Sequence, residues 1–289
     1  MFYSRMLKKN PGKLKRLLLI AMAAGIMVSF ISCSSNNKSS KPRVEFDENN
    51  IVLTFAVMSD THITEETVNG RNEQKFDTAL KYYKELTGGN IDLLFFAGDV
   101  TNRLSVYNYQ LTTFKNIIEN NFNVAGGEVE VIICTGNHDS TAGYMGNLIM
   151  ELLDDYYFRT DIDKESIVKG NRHCVVNSFH FITVEPQNYG GLQEYFNDQA
   201  PPVVFSEETL KWLDEVLSKI AAEEPGKPIF LASHAMLHDT VYGSTTQGWY
   251  TEDIKTVVSK YPQVITFSGH MHNQLNDERA IMQTEFTSL

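Results

Sequence analysis

Ile91-Asp92-Leu93-Leu94-Phe95-Phe96-Ala97-Gly98-Asp99-Val100-Thr101-Asn102 is the stretch that decides the fold of this chain. From Ile91 to Ala97 only Asp92 is polar. A half-exposed strand alternates apolar and polar residues, whereas a nearly continuous apolar run marks a strand covered on both faces. The run breaks at Gly98 and sets a carboxylate, Asp99, at its end. Burying an isolated carboxylate there is costly. Open α/β sheets place their ligands at such strand ends.

Four further clusters repeat this arrangement. They are Ser59–His62 (SDTH), Gly136–Asp139 (GNHD), the pair Ser233-His234, and Gly269–His272 (GHMH). Each follows a strand-like run: Ile51–Met58, Val129–Cys134, Ile229–Ala232 and Val264–Phe267 respectively. Helical signals fall between the runs, over 71–86 (stopped by Gly88-Gly89), 104–119, 143–158 (with Leu148, Leu152 and Tyr156 on one stripe) and 251–260. Ser206 suits the N-cap of another helix, with Glu207 and Glu208 in its first turn and a stripe of Leu210, Leu213, Leu217 and Ile220. Residues 172–184 read as two strands without a crossover helix, and Ala280–Leu289 as a weak strand. Strands and helices alternate, with extra strand late in the chain. The pattern predicts an α/β fold, a two-sheet β-sandwich flanked by helices, over residues 51–289 and without an internal repeat.

Composition limits the partners. The chain has 289 residues, 42% of them hydrophobic, enough for a sizeable core. Of its 25 basic residues, six lie in residues 1–33, which hold no acid; the remaining 19 face 36 acidic residues. So acidic a body repels long polyanions, and no nucleic-acid polymer is expected as a partner. A small phosphorylated substrate remains compatible, because local metal charge outweighs the global field.

The N-terminus reads as a targeting segment. A basic stretch precedes the apolar run Leu17–Ile31, interrupted only by Gly25 and Ser29. That run spans about 22 Å as a helix, short of the roughly 30 Å hydrocarbon core. Phe30-Ile31-Ser32-Cys33 resembles a bacterial lipoprotein lipobox, with Phe30 where Leu is usual. Residues 1–33 are therefore read as a signal peptide with Cys33 as the lipidated residue, and 34–50 as a polar tether. The alternatives are ordinary secretion and an uncleaved anchor. The expected location is outside the cytoplasmic membrane, held by the lipid anchor at its outer face or in the cell envelope. Cys134, in an apolar run, reads as a buried small hydrophobe; pairing with Cys174 is the alternative.

Carboxylates, imidazoles and an amide at strand ends are hard-to-borderline metal ligands and point to a two-metal hydrolase. Asp60 and His62, two apart, share a face on a strand; the bland alternative is a capping Asp beside a surface His. Gly98 permits close backbone approach. The order DxH, GDxx(N/D), GNH(D/E), H, GHxH resembles the calcineurin-like metallophosphoesterase family, over about residues 51–289. The resemblance implies a small phosphate-ester substrate and two divalent metal ions (Mn, Fe or Zn). It places Asp60, His62, Asp99 and His272 on one ion and Asp99, Asn137, His234 and His270 on the other, with Asp99 bridging. It implies that His138 faces the substrate and protonates the leaving oxygen. Asp139 is expected to orient its neighbours or the backbone.

Some family members carry an acid followed by Arg-Gly where this chain has Asn102, Arg103 and Leu104. That departure argues against a protein Ser/Thr phosphatase. Asn102 is expected to hydrogen-bond a phosphate or His138, or else to cap a helix; Arg103 either contacts phosphate or is solvated. His173 and His180 match no motif, and His180 reads as structural. His238, with Tyr242, Trp249 and Tyr250, belongs to a loop that forms either a substrate wall or an ordinary surface. The expected activity is a phosphodiesterase; a phosphomonoester phosphatase is the runner-up, and a non-catalytic surface-binding module on the same fold is the reading from another class. The resemblance also implies further strands beyond Leu289, so the sequence reads as a C-terminally truncated fragment or a short member.

Overall fold

The computed structural model describes residues 2–7, 50–67, 69–102, 108–139, 171–186, 203–245 and 250–289. Two sheets pack face to face with helices outside them. The first sheet has the order β1 (Phe2–Leu7), β2 (Ile51–Met58), β3 (Leu93–Ala97), β4 (Glu130–Cys134). The strands β2, β3 and β4 run parallel, from Phe55 opposite Leu93 and Leu93 opposite Glu130. Helices α1 (Arg71–Leu86) and α2 (Asn108–Asn121) connect them. β1 pairs antiparallel along the outer edge of β2, from Phe2 opposite Val57 to Leu7 opposite Ile51. It lies within the segment that the sequence reading assigns to a leader.

The second sheet contains β5 (Arg172–Val176), β6 (Phe179–Thr183), β7 (Ile229–Ala232), β10 (Val264–Phe267), β11 (Met282–Gln283) and β12 (Thr287–Ser288), in the order β11-β12-β10-β7-β6-β5. β5 and β6 form the hairpin expected without a crossover helix. Helices α3 (Glu207–Glu223) and α4 (Asp253–Val258) cover its outer face. A two-residue pair, β8 (Met236–Leu237) with β9 (Tyr250–Thr251), stands apart.

The two-sided burial read from Ile91–Ala97 is realised in full. Leu93, Phe95 and Ala97 face the second sheet, while Leu94 and Phe96 face the helices. The middle layer is aromatic: Phe55 lies 5.3 Å from Phe181 and 4.8 Å from Phe230, and Phe95 lies 5.3 Å from Phe181. Such pairs add about 0.5–1.5 kcal/mol each beyond their buried area. Cys134 and Cys174 sit buried in this layer and are not joined, so the disulfide alternative is not formed.

Some boundaries differ from the sequence reading, two of them for a visible local reason. β3 starts at Leu93 because Asp92 turns its carboxylate onto the Thr54 N–H at 2.6 Å. α4 starts at Asp253 because Tyr250 and Thr251 pair with β8 instead. α2 is described from Asn108, and the Asn102 N–H donates to Gln110 Oε1 on it at 3.1 Å. The helix expected over 143–158 lies outside the described residues, as do Cys33, Arg103, Leu104 and Trp249. Among the described residues no helix is long and apolar enough to cross a membrane.

Candidate metal centre

The five clusters meet at one edge of the sandwich, where the strands of both sheets end. β2 delivers Asp60 and His62, β3 delivers Asp99, and β4 delivers Asn137 and His138. From the second sheet β7 delivers His234, and β10 delivers His270 and His272. Backbone bonds lock the first two loops together: Asp60 N–H donates to Gly98 O, His62 N–H to Asp99 O and Ile63 N–H to Val100 O, at 3.0, 3.0 and 3.1 Å.

Five of these residues hold left-handed backbone: Asp60 (φ 56°), His62 (44°), Asp99 (52°), His270 (78°) and His272 (50°). A non-glycine residue there is uncommon and costs on the order of 1–3 kcal/mol. The turned backbone takes each side chain off the strand's alternation and toward a shared centre. Gly98 (φ 92°) is required for a further reason. A Cβ built on it would lie 2.6 Å from His234 Cγ, inside any tolerable contact.

Two groups of donors result. Asp60, His62, Asp99 and His272 form one, and Asp99, His234 and His270 the other; within each, one ligand atom per residue lies within 4.8 Å of the rest. Asp99 belongs to both. In the first group His62 Nε2 lies 2.9 Å from His272 Nε2 and 3.6 Å from Asp99 Oδ2, and His272 Nε2 lies 3.1 Å from Asp60 Oδ1. In the second, His234 Nε2 lies 3.2 Å from Asp99 Oδ2, 3.2 Å from His270 Nδ1 and 3.1 Å from Asn137 Oδ1. Asn137 thus joins the second group. The sequence reading's full set of metal-ligand candidates converges.

The donor set fits divalent cations. Imidazole nitrogens that face each other at hydrogen-bond distance can share only one proton per pair, and a cation satisfies both. His62 Nδ1 is buried without a hydrogen-bond partner. The electrostatics are correspondingly tense. Burial favours neutral Asp99, yet the His234 charge and the His138 N–H hold its carboxyl well below the usual range. Burial would depress His234, but Asp99, with Asp60 and the Ala97 carbonyl, pushes it up to about 10. Burial and the charge on His234 press His270 down to about 3. Two imidazoles are oriented from behind. His234 Nδ1 donates to Ala97 O at 2.8 Å, which leaves Nε2 for a ligand. His138 Nδ1 donates to Asn102 O at 3.0 Å.

His138 itself stands outside both groups. Its N–H donates to Asp99 Oδ1 at 2.8 Å, and its exposed ring lies 4.6 Å from that of His62. Asn102 meets it through its backbone carbonyl rather than its amide. Asp139 is fully buried and binds backbone, as one of its two expected roles required. Its Oδ1 accepts from Thr101 N–H and Oγ–H, each at 2.8 Å, and its Oδ2 from Val100 N–H (3.2 Å) and Gly136 N–H (2.9 Å). Burial, then the charge of Asp99, push its carboxyl up to about 7.

Several contributors carry no motif signal. Ser59 Oγ donates to Asp60 Oδ2, and Asn72 Nδ2 donates to His62 O at 2.9 Å. Glu73, buried on α1, accepts from the N–H groups of Thr64 and Glu65 and so ties down the loop after His62. His173 and His180 stack 5.0 Å apart, far along the chain from the clusters; His180 Nε2 approaches Glu224 Oε1 at 3.2 Å, and the pair is structural. His238 packs on Tyr250 at 4.3 Å. Tyr242 lines a cleft of about 400 Å³ that reaches Asp60 and His272 between Lys75, Phe76, Met271 and Leu275.

An α/β sandwich that gathers two donor groups around one shared carboxylate defines a dinuclear metal hydrolase. The chain belongs to the calcineurin-like phosphoesterase family, whose model matches residues 53–274. Family and donor cluster together make it a metal-dependent phosphoester hydrolase with places for two divalent ions. A dimetal phosphatase from Danio rerio shares the fold at 14% identity and TM-score 0.52, over 82% of this chain and 86% of that one. A purple acid phosphatase from yellow lupin (Lupinus luteus) seeds is similar at 17% identity and TM-score 0.49, over 76% of this chain but 38% of that one. A phosphopantetheinyl hydrolase from Mycobacterium tuberculosis is similar at 13% identity and TM-score 0.45, over 81% and 86%. Curated proteins give no significant sequence match.

Proposed function

We propose that this protein hydrolyses a phosphodiester bond in a small substrate. The observation that carries the reading is the membership of Asp99 in both donor groups. In this reading Asp60, His62, Asp99 and His272 hold one ion, and Asp99, Asn137, His234 and His270 hold the other. The chemistry that Mn, Fe or Zn supplies in such a pair is Lewis acidity toward the phosphoryl oxygens and activation of a water. The protein's own groups do the rest. Asp99, kept ionised, neutralises charge at the shared position. His138 gives a proton to the departing oxygen. Its Nδ1–H stays on the Asn102 carbonyl throughout, so the proton given up is the one on Nε2, the nitrogen free to meet substrate.

Asn102, Arg103 and Leu104, in place of an acid followed by Arg-Gly, support a diester over a protein phosphomonoester. The N-terminal pattern around Cys33 supports a lipid-anchored protein outside the cytoplasmic membrane. The deciding experiment compares bis-p-nitrophenyl and p-nitrophenyl phosphate hydrolysis, after chelation and reconstitution with Mn, Zn or Fe. Faster diester cleavage is expected. Faster monoester cleavage makes the protein a phosphomonoesterase, and no turnover with two bound ions makes it a binding module.

A further inference from the structure

Thr135 stands between β4 and the Asn137-His138 pair, and it is held from the other sheet. Its N–H donates to Glu185 Oε1 at 2.9 Å, and its hydroxyl to Glu185 Oε2. Glu185, just after β6, is 7% exposed. It is anchored in turn: its N–H donates to Asn171 Oδ1 at 2.7 Å, and Asn171 Nδ2 donates to Thr209 Oγ at 2.9 Å in the first turn of α3. The preceding residue, Val184, donates its N–H to Ala232 O at 3.2 Å, two positions before His234. Buried Arg172 donates to Ile133 O and lends its charge to the Glu185 carboxylate, which burial otherwise disfavours.

Residues 184–185 therefore tie together the two strand ends that supply Asn137 and His234. Those strands belong to opposite sheets, and the two side chains meet at 3.1 Å. The middle layer between the sheets is apolar and non-directional. A carboxylate that accepts both an N–H and an O–H from one residue is directional. A buried carboxylate is also expensive, so its presence at this seam calls for a specific task.

We propose that Glu185 is a positioning residue for the Asn137–His234 half of the metal centre, fixing through Thr135 the separation of the two sheets where these ligands converge. The proposal rests on the dinuclear reading above. Partners that orient metal ligands are typically worth 10–100-fold in metal affinity.

The test uses chelated full-length protein titrated with Mn²⁺, comparing wild type, Glu185→Gln and Thr135→Val. Glu185→Gln keeps the shape and one acceptor; Thr135→Val approaches the same contact from the other side without touching the carboxylate. In both variants one of the two Mn affinities should fall about 10–100-fold while the other holds. At limiting Mn the electron paramagnetic resonance spectrum should change from a coupled pair to a single ion. Excess Mn should restore kcat, which a collapsed core would not allow. Equal weakening of both sites, or two unchanged affinities, overturns the positioning role alone. A wild-type protein that takes up fewer than two ions overturns the dinuclear reading and the positioning role with it.

Discussion

Asp139→Asn tests whether one buried carboxylate holds the GDVTN and GNHD loops in register. Asp139 serves four donors, two on each oxygen. Asn keeps one oxygen and turns an NH2 toward the other pair. If that oxygen faces Thr101, the N–H groups of Val100 and Gly136 are orphaned, at about 1–3 kcal/mol each. If it faces Val100 and Gly136, the Thr101 hydroxyl can rotate to accept from the amide, and only the Thr101 N–H is orphaned. The second placement is cheaper, so the expected loss is about 1–3 kcal/mol. Loss of the charge is partly offset, since burial and Asp99 already push this carboxyl up to about 7. Asp139→Ala orphans all three N–H groups, about 3–9 kcal/mol. Against a usual total of 5–15 kcal/mol, that variant should scarcely accumulate as folded protein. Urea unfolding of chelated protein reads both values without a contribution from bound metal. An Asp139→Ala variant within about 1 kcal/mol of wild type would mean that these donors find other acceptors, and that Asp139 does not hold the loops.

Gly98→Ala should weaken metal uptake at the His234 side and lower turnover by about 10–100-fold, because its Cβ would meet the buried His234 ring; full metal affinity in this variant contradicts the contact. His138→Ala should retain both ions and lose about 10²–10⁴ in turnover, more on alkyl than on p-nitrophenyl esters. Asp99→Ala should lose metal and activity together, so equal metal loss in the two variants would remove His138 from the acid role. Burial, His180 and Lys219 depress His173 to about 4 from 6.5, so the unfolded chain binds a proton here that the folded one does not. Stability should accordingly fall as pH drops from 6.5 through 4, and His173→Gln should flatten that window in urea titrations; an unchanged slope would show that another group dominates. Cys33→Ser should release the protein from the membrane fraction, and identical fractionation of mutant and wild type refutes lipid anchoring.

The strands β2, β3, β4, β7 and β10, the β5–β6 hairpin, α1 and the Ser206-capped α3 were legible in the sequence because burial and capping are written locally, whereas β1, β8 and β9 were not. A run such as LLFFA at 93–97 must be covered on both faces wherever the chain takes it. Ser206 accepts from the Thr209 N–H three residues on, a contact that needs no tertiary partner. The ligand types were equally plain, since few tasks gather so many imidazoles and carboxylates at strand ends. Tertiary structure decided the rest. His62 meets His272 across 210 positions of sequence, and Thr135 meets Glu185 across 50. Neither distance leaves a periodicity to read. Asn102 was expected to hydrogen-bond a phosphate or His138; it meets His138 through its carbonyl, a group that every residue type shares and that leaves no sequence signal. The left-handed turns at Asp60, His62, Asp99, His270 and His272 leave only a weak signature, since Asp and His are enriched in that region without marking it. Asp60 and His62 are held by backbone bonds to the Gly98–Asp99 loop of their own sheet, and the His270 N–H donates to the Asp60 carboxylate, a contact that exists only once both sheets are in place.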